Sequence, residues 1–362
     1  MNEQPEIAIL LQIVKGDIDL QISLGSCSID RLIQLAEMHR VVYQLLIFAR
    51  QHNDIFTGEQ IIQLENRCRQ GALRSLTQLH ELKRIAGVLN EKDIGYVCIK
   101  GPQLSRMIYG REALKESVDL DILLERAEDL MKVHTILSGL GYTHSNLNQY
   151  KGKYARKIFL IAKREVHFFN RETRCAIDLH VRPGANTYLT AKYFNGFLSD
   201  LVAADLEGTR VPVLSDEYYF VYLCYHGSLH QFSRLAWLMD IRAFLSLKRE
   251  VFDYGKLLSI ARSLHAERSV YLTMLLLQQL LGDEIPGDIA VNIRNNKRFR
   301  YLVSVCANMT GRDPIYWMTL IGRTEKVIYI MLLIKGMAGR IDWLYGILMR
   351  QLIKYLAKTQ RC

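Results

Sequence analysis

At 362 residues, 49% of them hydrophobic and 23% charged, the chain can bury a large core and has room for two domains, or for one domain with helical additions. Its formal net charge of +10 favours an anionic partner such as a nucleotide, nucleic acid, anionic lipid or acidic glycan, beside the plainer reading of a merely basic protein. Seven cysteines without a Cys-x-x-Cys pair argue against a disulfide framework or zinc site. Residues 1–15 carry no basic leader, and no uncharged apolar run reaches about 18 residues, so a cytoplasmic chain without a transmembrane segment is expected.

The first ninety residues read as helical. Pro5 to Lys15 is apolar on more than one side, as a packing helix would be. Ser28 is a cap for a helix running through Arg50, with Leu32, Leu35, Ala36, His39, Val42 and Tyr43 near helical spacing. Thr57 with Gln60 three residues on matches a capping box, opening a long helix toward Asn90. Tyr96 to Ile99 is then a short strand, broken by Lys100, Gly101 and Pro102. Glycine takes turn conformations closed to other residues and proline suits the first helical position, so Gln103 to Tyr109 reads as a short helix.

From Val118 to Leu124 the apolar pattern has period two: Val118, Leu120 and Ile122 face one way, Asp119 and Asp121 the other. Residues two apart on a strand are about 6.6 Å apart along it, so both carboxylates can grip one metal centre. Adjacent anions suit an ordinary sheet surface poorly, and a cation is the simplest reason for them.

Strand, glycine turn, short helix, then a strand carrying Asp-hydrophobic-Asp resembles the nucleotidyltransferase fold shared with DNA polymerase beta. More narrowly, the stretch is similar to the uncharacterised bacterial nucleotidyltransferase family. That family also carries a later strand with an acidic residue, Leu and His, here Asp178, Leu179 and His180, and a helical segment with spaced histidines, here His226 to Asp240. The resemblance spans roughly residues 90 to 245. It implies an α+β fold: a small mixed β-sheet nucleotidyltransferase core with helices, at residues 91–214, flanked by helical regions at 1–90 and 215–362. The implied activity is metal-dependent transfer of a nucleoside monophosphate from an NTP, taken to be ATP, to a hydroxyl or phosphate of an acceptor the sequence does not name. Mg²⁺ or Mn²⁺ is the implied cofactor.

On this resemblance Asp119, Asp121 and Asp178 are the catalytic and metal-binding carboxylates, with Asp178 completing the nucleophile side and accepting the proton. Nucleotide binding falls to Lys100, Gly101, Gln103, Ser105, His180, His226, His230 and Arg234. The helix N-terminus after Gly101 offers unpaired N–H groups to phosphate, and Lys100 and Ser105 a charge and a hydroxyl. Pro102 departs from the Gly-Ser or Gly-Gly of the broader superfamily.

Residues 143–164 are polar and basic, a loop over the substrate or a solvated face. Val166 to Phe169 and Ala176 to Val181 read as strands joined through Asn170 to Arg174, with Asp178 and His180 sharing a face. On one helix from Tyr222 to Phe244, His226, His230, Arg234, Trp237 and Asp240 form a stripe, either lining a cleft or making a buried polar network. From Arg323 to Arg361 eight Lys or Arg face only Glu325 and Asp342, a pattern for helices at an anionic membrane surface, on an acidic partner, or packed as an ordinary terminus. Two rival functions remain open: a glycosyltransferase holding a nucleotide-sugar through Asp-x-Asp, and a non-catalytic member that binds nucleotide or a partner.

Overall fold

The computed structural model describes residues 5–16, 27–110, 117–144, 165–181, 198, 200–248, 251–293, 296–309, 320–337, 339–341, 343–345 and 347–348. Two units divide the chain: residues 71–219 with 336–362, which hold the sheet, and residues 1–70 with 220–335, which are helical.

The sheet has five strands, β1 (Tyr96–Lys100), β2 (Asp119–Leu124), β3 (Tyr142–His144), β4 (Glu165–Asn170) and β5 (Ala176–His180), in the order β1-β2-β5-β4-β3. Only the central pair, β2 with β5, is parallel, so the sheet is mixed. Alternation sorts the side chains: Leu120, Ile122, Val166, Phe168, Ile177 and Leu179 are buried on one face. Helices α4 (Gly58–Glu91) and α6 (Leu130–Gly139) bury Leu79, Leu82, Ile85, Ala86 and Leu89, and Leu130, Val133 and Leu137. The second half of α4 is tied to the sheet by polar bonds. Gln78 donates to the Ser117 carbonyl (3.3 Å), Tyr142 to Glu81 (2.6 Å), and Arg84 to the Leu140 carbonyl (3.0 Å).

Between β1 and β2 runs α5 (Pro102–Tyr109), with proline at its start and Gly110 in the left-handed conformation at its end. The β4–β5 turn is closed by Asn170, whose Oδ1 accepts from Glu172 N and Thr173 N. A second sheet, not anticipated from the sequence, is the hairpin β6 (Leu201–Leu206) and β7 (Thr209–Leu214). Its two turn residues, Glu207 and Gly208, both have positive φ (49° and 88°), as a tight hairpin requires.

In the helical unit α1 (Pro5–Lys15), α2 (Ile29–His39) and α3 (Val42–Gln51) precede the first part of α4. The capping box is formed: Gln60 N donates to Thr57 Oγ1 (3.2 Å) and Thr57 N to Gln60 Oε1 (3.1 Å). The single helix expected from Ser28 through Arg50 is corrected. Ser28 caps α2, but Arg40 turns left-handed (φ 57°), and the Val41 N–H closes onto the Ala36 carbonyl at 2.9 Å. The break lets Val41 be buried as His39 and Val42 are; on a straight helix it would point to another side.

The helix expected from Tyr222 to Phe244 is likewise two, α7 (Asp216–Leu229) and α8 (Leu235–Lys248), and this too is a correction. Gln231 and Phe232 take positive φ, and the Phe232 N–H returns to the Gly227 carbonyl (2.9 Å). A Cβ on Gly227 would overlap the buried Phe232 ring, so the missing side chain is what allows the chain to fold back there. The buried Ser228 hydroxyl joins Ser269 (2.7 Å) across to α10 (Glu267–Leu276), after α9 (Tyr254–Ser263). Helices α11 (Gly287–Ile293), α12 (Lys297–Met309) and α13 (Leu320–Leu333) follow, and Tyr329 donates to the Ser228 carbonyl (2.8 Å). Among the described residues no helix is long and apolar enough to cross a membrane. Residues 145–164, and 349–361 of the basic C-terminal stretch, lie outside the described residues.

Candidate metal and nucleotide site

The polar face of the five-stranded sheet follows from its register. In β2 and β5, Asp121 pairs with Asp178 and Leu123 with His180. Residues paired across neighbouring strands project from the same face, with strands about 4.8 Å apart, so the two carboxylates stand side by side. On the outer side of β2, an irregularity between Cys98 and Lys100 brings Lys100 opposite Asp121. On the far side of β5, antiparallel β4 sets His167 against Asp178 and Glu165 against His180. One row therefore crosses four strands as Lys100, Asp121, Asp178 and His167, with His180 and Glu165 in the next row.

Distances turn the rows into a cluster. His180 Nε2 lies 2.8 Å from Asp121 Oδ1, and His180 Nδ1 lies 3.4 Å from Glu165 Oε2. His167 Nδ1 is 2.5 Å from Asp178 Oδ1, and its Nε2 is 4.0 Å from Glu165 Oε1. His180 and Asp121 side chains keep only 8% and 12% of their exposure, whereas His167 keeps 59% and forms the open rim. One donor atom from each of Asp121, Asp178 and His180 lies within 4.8 Å of the others, a spacing that can hold a cation. Asp119 stands on the same face one row along, half-buried, outside that trio.

The turn after β1 is built for close approach. Gly101 has φ 131° and ψ −154°, a backbone region essentially confined to glycine. A Cβ there would meet Gln103 Oε1 at 2.9 Å and Leu120 Cδ2 at 3.2 Å. Tyr219, buried at the start of α7, donates its hydroxyl to the Ile99 carbonyl and fixes the strand end that leads into Lys100. Lys100 is nearly buried, and Ser105 is fully buried one turn into α5. Gln103 is 4% exposed, and among the described residues neither atom of its amide has a hydrogen-bond partner. A buried unsatisfied amide costs about 1–3 kcal/mol and calls for a reason.

The structure thus brings Asp121, Asp178 and His180 together on one face, with Asp119 and Lys100 on adjoining strand positions and Gly101 and Gln103 at the turn beyond. His226, His230 and Arg234 belong to the helical unit. There His226 and His230 lie 4.6 Å apart by ring centroids, Trp237 lies 5.5 and 5.3 Å from them, and the Arg234 guanidinium sits over the Trp237 ring at 5.4 Å. The turn between α7 and α8, rather than a single helix, gathers them. Sequence reasoning missed Glu165 and His167. Their alternation with Val166 was visible, but which strand lies beside β5 was not.

A family model described as uncharacterised nucleotidyltransferase matches residues 26–282. Neither a curated protein nor a solved structure matches the chain.

Proposed function

Because the chain belongs to the uncharacterised nucleotidyltransferase family, we propose that it transfers a nucleoside monophosphate from an NTP, ATP first among them, to a hydroxyl or phosphate of an acceptor and releases pyrophosphate. The observation that carries this reading is the in-register pairing of Asp121 with Asp178 beside His180. Two carboxylates and an imidazole within 4.8 Å suit a dication. Bound there, Mg²⁺ or Mn²⁺ supplies charge neutralisation at the phosphates and acidifies the attacking hydroxyl.

The chain's own groups divide the remaining work. Asp121 and Asp178, with His180 beside them, would hold the ion, and Asp119 extends the acidic surface along β2. Lys100 offsets phosphate charge, and the bare backbone of Gly101 admits a phosphate close to the first N–H groups of α5. Gln103, with both amide atoms unsatisfied among the described residues, gains its missing hydrogen bonds from the nucleotide. Asp178 accepts the acceptor's proton, with His167 2.5 Å away to stabilise it.

The test is pyrophosphate release from each NTP with Mg²⁺ or Mn²⁺, using a cell extract as the source of acceptor. Asp121→Asn should reduce turnover at least about hundredfold, since phosphate-charge stabilisation worth several kcal/mol is lost. Release of UDP from a sugar nucleotide, or tight ATP binding without turnover on any acceptor, would overturn the proposal.

A further inference from the structure

The proposed transfer gives His180 no role beyond its place in the cluster, yet it is the most enclosed polar group there. Its ring is 8% exposed and lies between two carboxylates, with Nε2 2.8 Å from Asp121 Oδ1 and Nδ1 3.4 Å from Glu165 Oε2. Register fixes this sandwich: β5 sets His180 one row from the Asp121–Asp178 pair, and antiparallel β4 sets Glu165 directly across from His180. A carboxylate facing one ring nitrogen fixes the ring's orientation and tautomer, which leaves the other nitrogen's lone pair for a metal. Nε2 is the nitrogen that faces the acidic pair, 2.8 Å from Asp121 Oδ1, so the tautomer with its proton on Nδ1, toward Glu165, is the one that would turn a lone pair to an ion held by Asp121 and Asp178.

We infer that the centre is a mixed Asp121–Asp178–His180 site, with Glu165 as the residue that orients His180, and that it takes a transition-metal dication in preference to Mg²⁺. Mg²⁺ demands oxygen ligands and gives up water reluctantly, so an imidazole in the first coordination sphere works against it. Imidazole suits later first-row dications, whose affinity for a given nitrogen and oxygen site rises from Mn²⁺ through Co²⁺. The inference rests on the metal-dependent reading of this face but assigns a different ligand and a different class of ion from an all-carboxylate Mg²⁺ centre. Glu165 is a positioning residue: it touches His180 rather than the ion.

The experiment uses the full chain, stripped with chelator and titrated with Mn²⁺, Co²⁺ and Mg²⁺, and reads binding rather than turnover. Pulsed electron paramagnetic resonance of the Mn²⁺-loaded protein should show nitrogen hyperfine coupling that changes isotope pattern when histidine is labelled with ¹⁵N. His180→Asp keeps three ligands; it should lose that coupling and narrow the preference for Co²⁺ over Mg²⁺ at least about tenfold. Glu165→Gln should keep the coupling while weakening Co²⁺ binding about 10- to 100-fold, the usual effect of losing an orienting partner. A circular-dichroism melt of each variant establishes that it is folded, and the wild-type coupling needs no variant at all. Bound Mn²⁺ without nitrogen coupling, or equal selectivity in wild type and His180→Asp, overturns the inference. Failure of the transferase reading is separate: it would appear as absent pyrophosphate release while nitrogen coupling persists.

Discussion

Replacing Gly101 by alanine tests the close packing of the turn after β1. Its φ of 131° with ψ of −154° lies in a region where a side chain costs about 1–3 kcal/mol. The added methyl would sit 2.9 Å from Gln103 Oε1 and 3.2 Å from Leu120 Cδ2. Gln103 has little room, and Leu120 is fully buried beneath Asp119 and Asp121, so neither withdraws freely. Overpacking of this kind adds about 1–3 kcal/mol, which brings the expected total to about 2–6 kcal/mol. Gly110, at the other end of α5, is the internal control. Its φ of 68° is also positive, but none of the described residues lies within 4 Å of where an added methyl group would stand, so Gly110→Ala should cost only about 1–2 kcal/mol. The assay is a urea titration followed by circular dichroism, with hydrogen exchange to locate the loss in the sheet, because two units need not unfold together. Equal losses for Gly101→Ala and Gly110→Ala would refute the geometry.

In the helical unit, Gly227→Ala forces the Phe232 ring from its buried place and should cost about 2–4 kcal/mol. Adding Phe232→Ala should recover part of that loss, and strictly additive effects in a double-mutant cycle would argue against the overlap. Burial pushes the Cys224 and Cys306 thiols up to about 12, so at pH 8 iodoacetamide should label Cys68 and spare these two until denaturant is added, as read by peptide mass spectrometry. The same shift makes the folded state lose stability as pH rises from the ordinary thiol value of 9.0 toward about 12, because the unfolded chain ionises first; an unchanged melting temperature across that window would count against it. Adding Mn²⁺ at about 100 times its dissociation constant should stabilise the wild type by about 2.7 kcal/mol and Asp178→Asn by far less; equal shifts in thermal melts would remove Asp178 from the site.

Which candidate side chains share a strand face was legible because alternation along one strand needs no knowledge of its neighbours. Asp119 and Asp121 share a face by period two alone, and so do Asp178 and His180. The glycine turn and α5 were legible for a similar reason, since Gly101 and Pro102 each act on their own backbone. What one strand cannot disclose is which strand lies beside it. Glu165 and His167 gain their place only through the antiparallel pairing of β4 with β5, and Lys100 meets Asp121 only through the irregularity in β1. The helix breaks at Arg40 and at Gln231–Phe232 were hidden for a different reason. Both use positive φ at residues other than glycine, so no local punctuation announces them. In the second case the glycine that matters, Gly227, lies inside the helix and works by leaving space rather than by turning. The β6–β7 hairpin rests on Glu207-Gly208, a weaker turn signal than Asn-Gly.

The same alternation explains why two carboxylates remain adjacent although they repel. At strand spacing and an effective dielectric near 20, their repulsion is on the order of 3 kcal/mol before His180 and His167 offset it. Sliding β5 by one residue would relieve it, but every side chain of the strand would change face. Ile177 and Leu179 would leave the core, where they pack in the same buried layer as Leu120 and Ile122, while Asp178 and His180 would enter it. Burying such side chains is worth about 1.5–3 kcal/mol each, and an unpaired carboxylate in the core adds several more against the slip. The apolar face of the sheet therefore sets the register, and the register holds Asp121 against Asp178 whether or not a cation is bound. A site made this way needs no dedicated loop to assemble it, since the forces that bury Ile177 and Leu179 on one face are the ones that bring the acidic row together on the other.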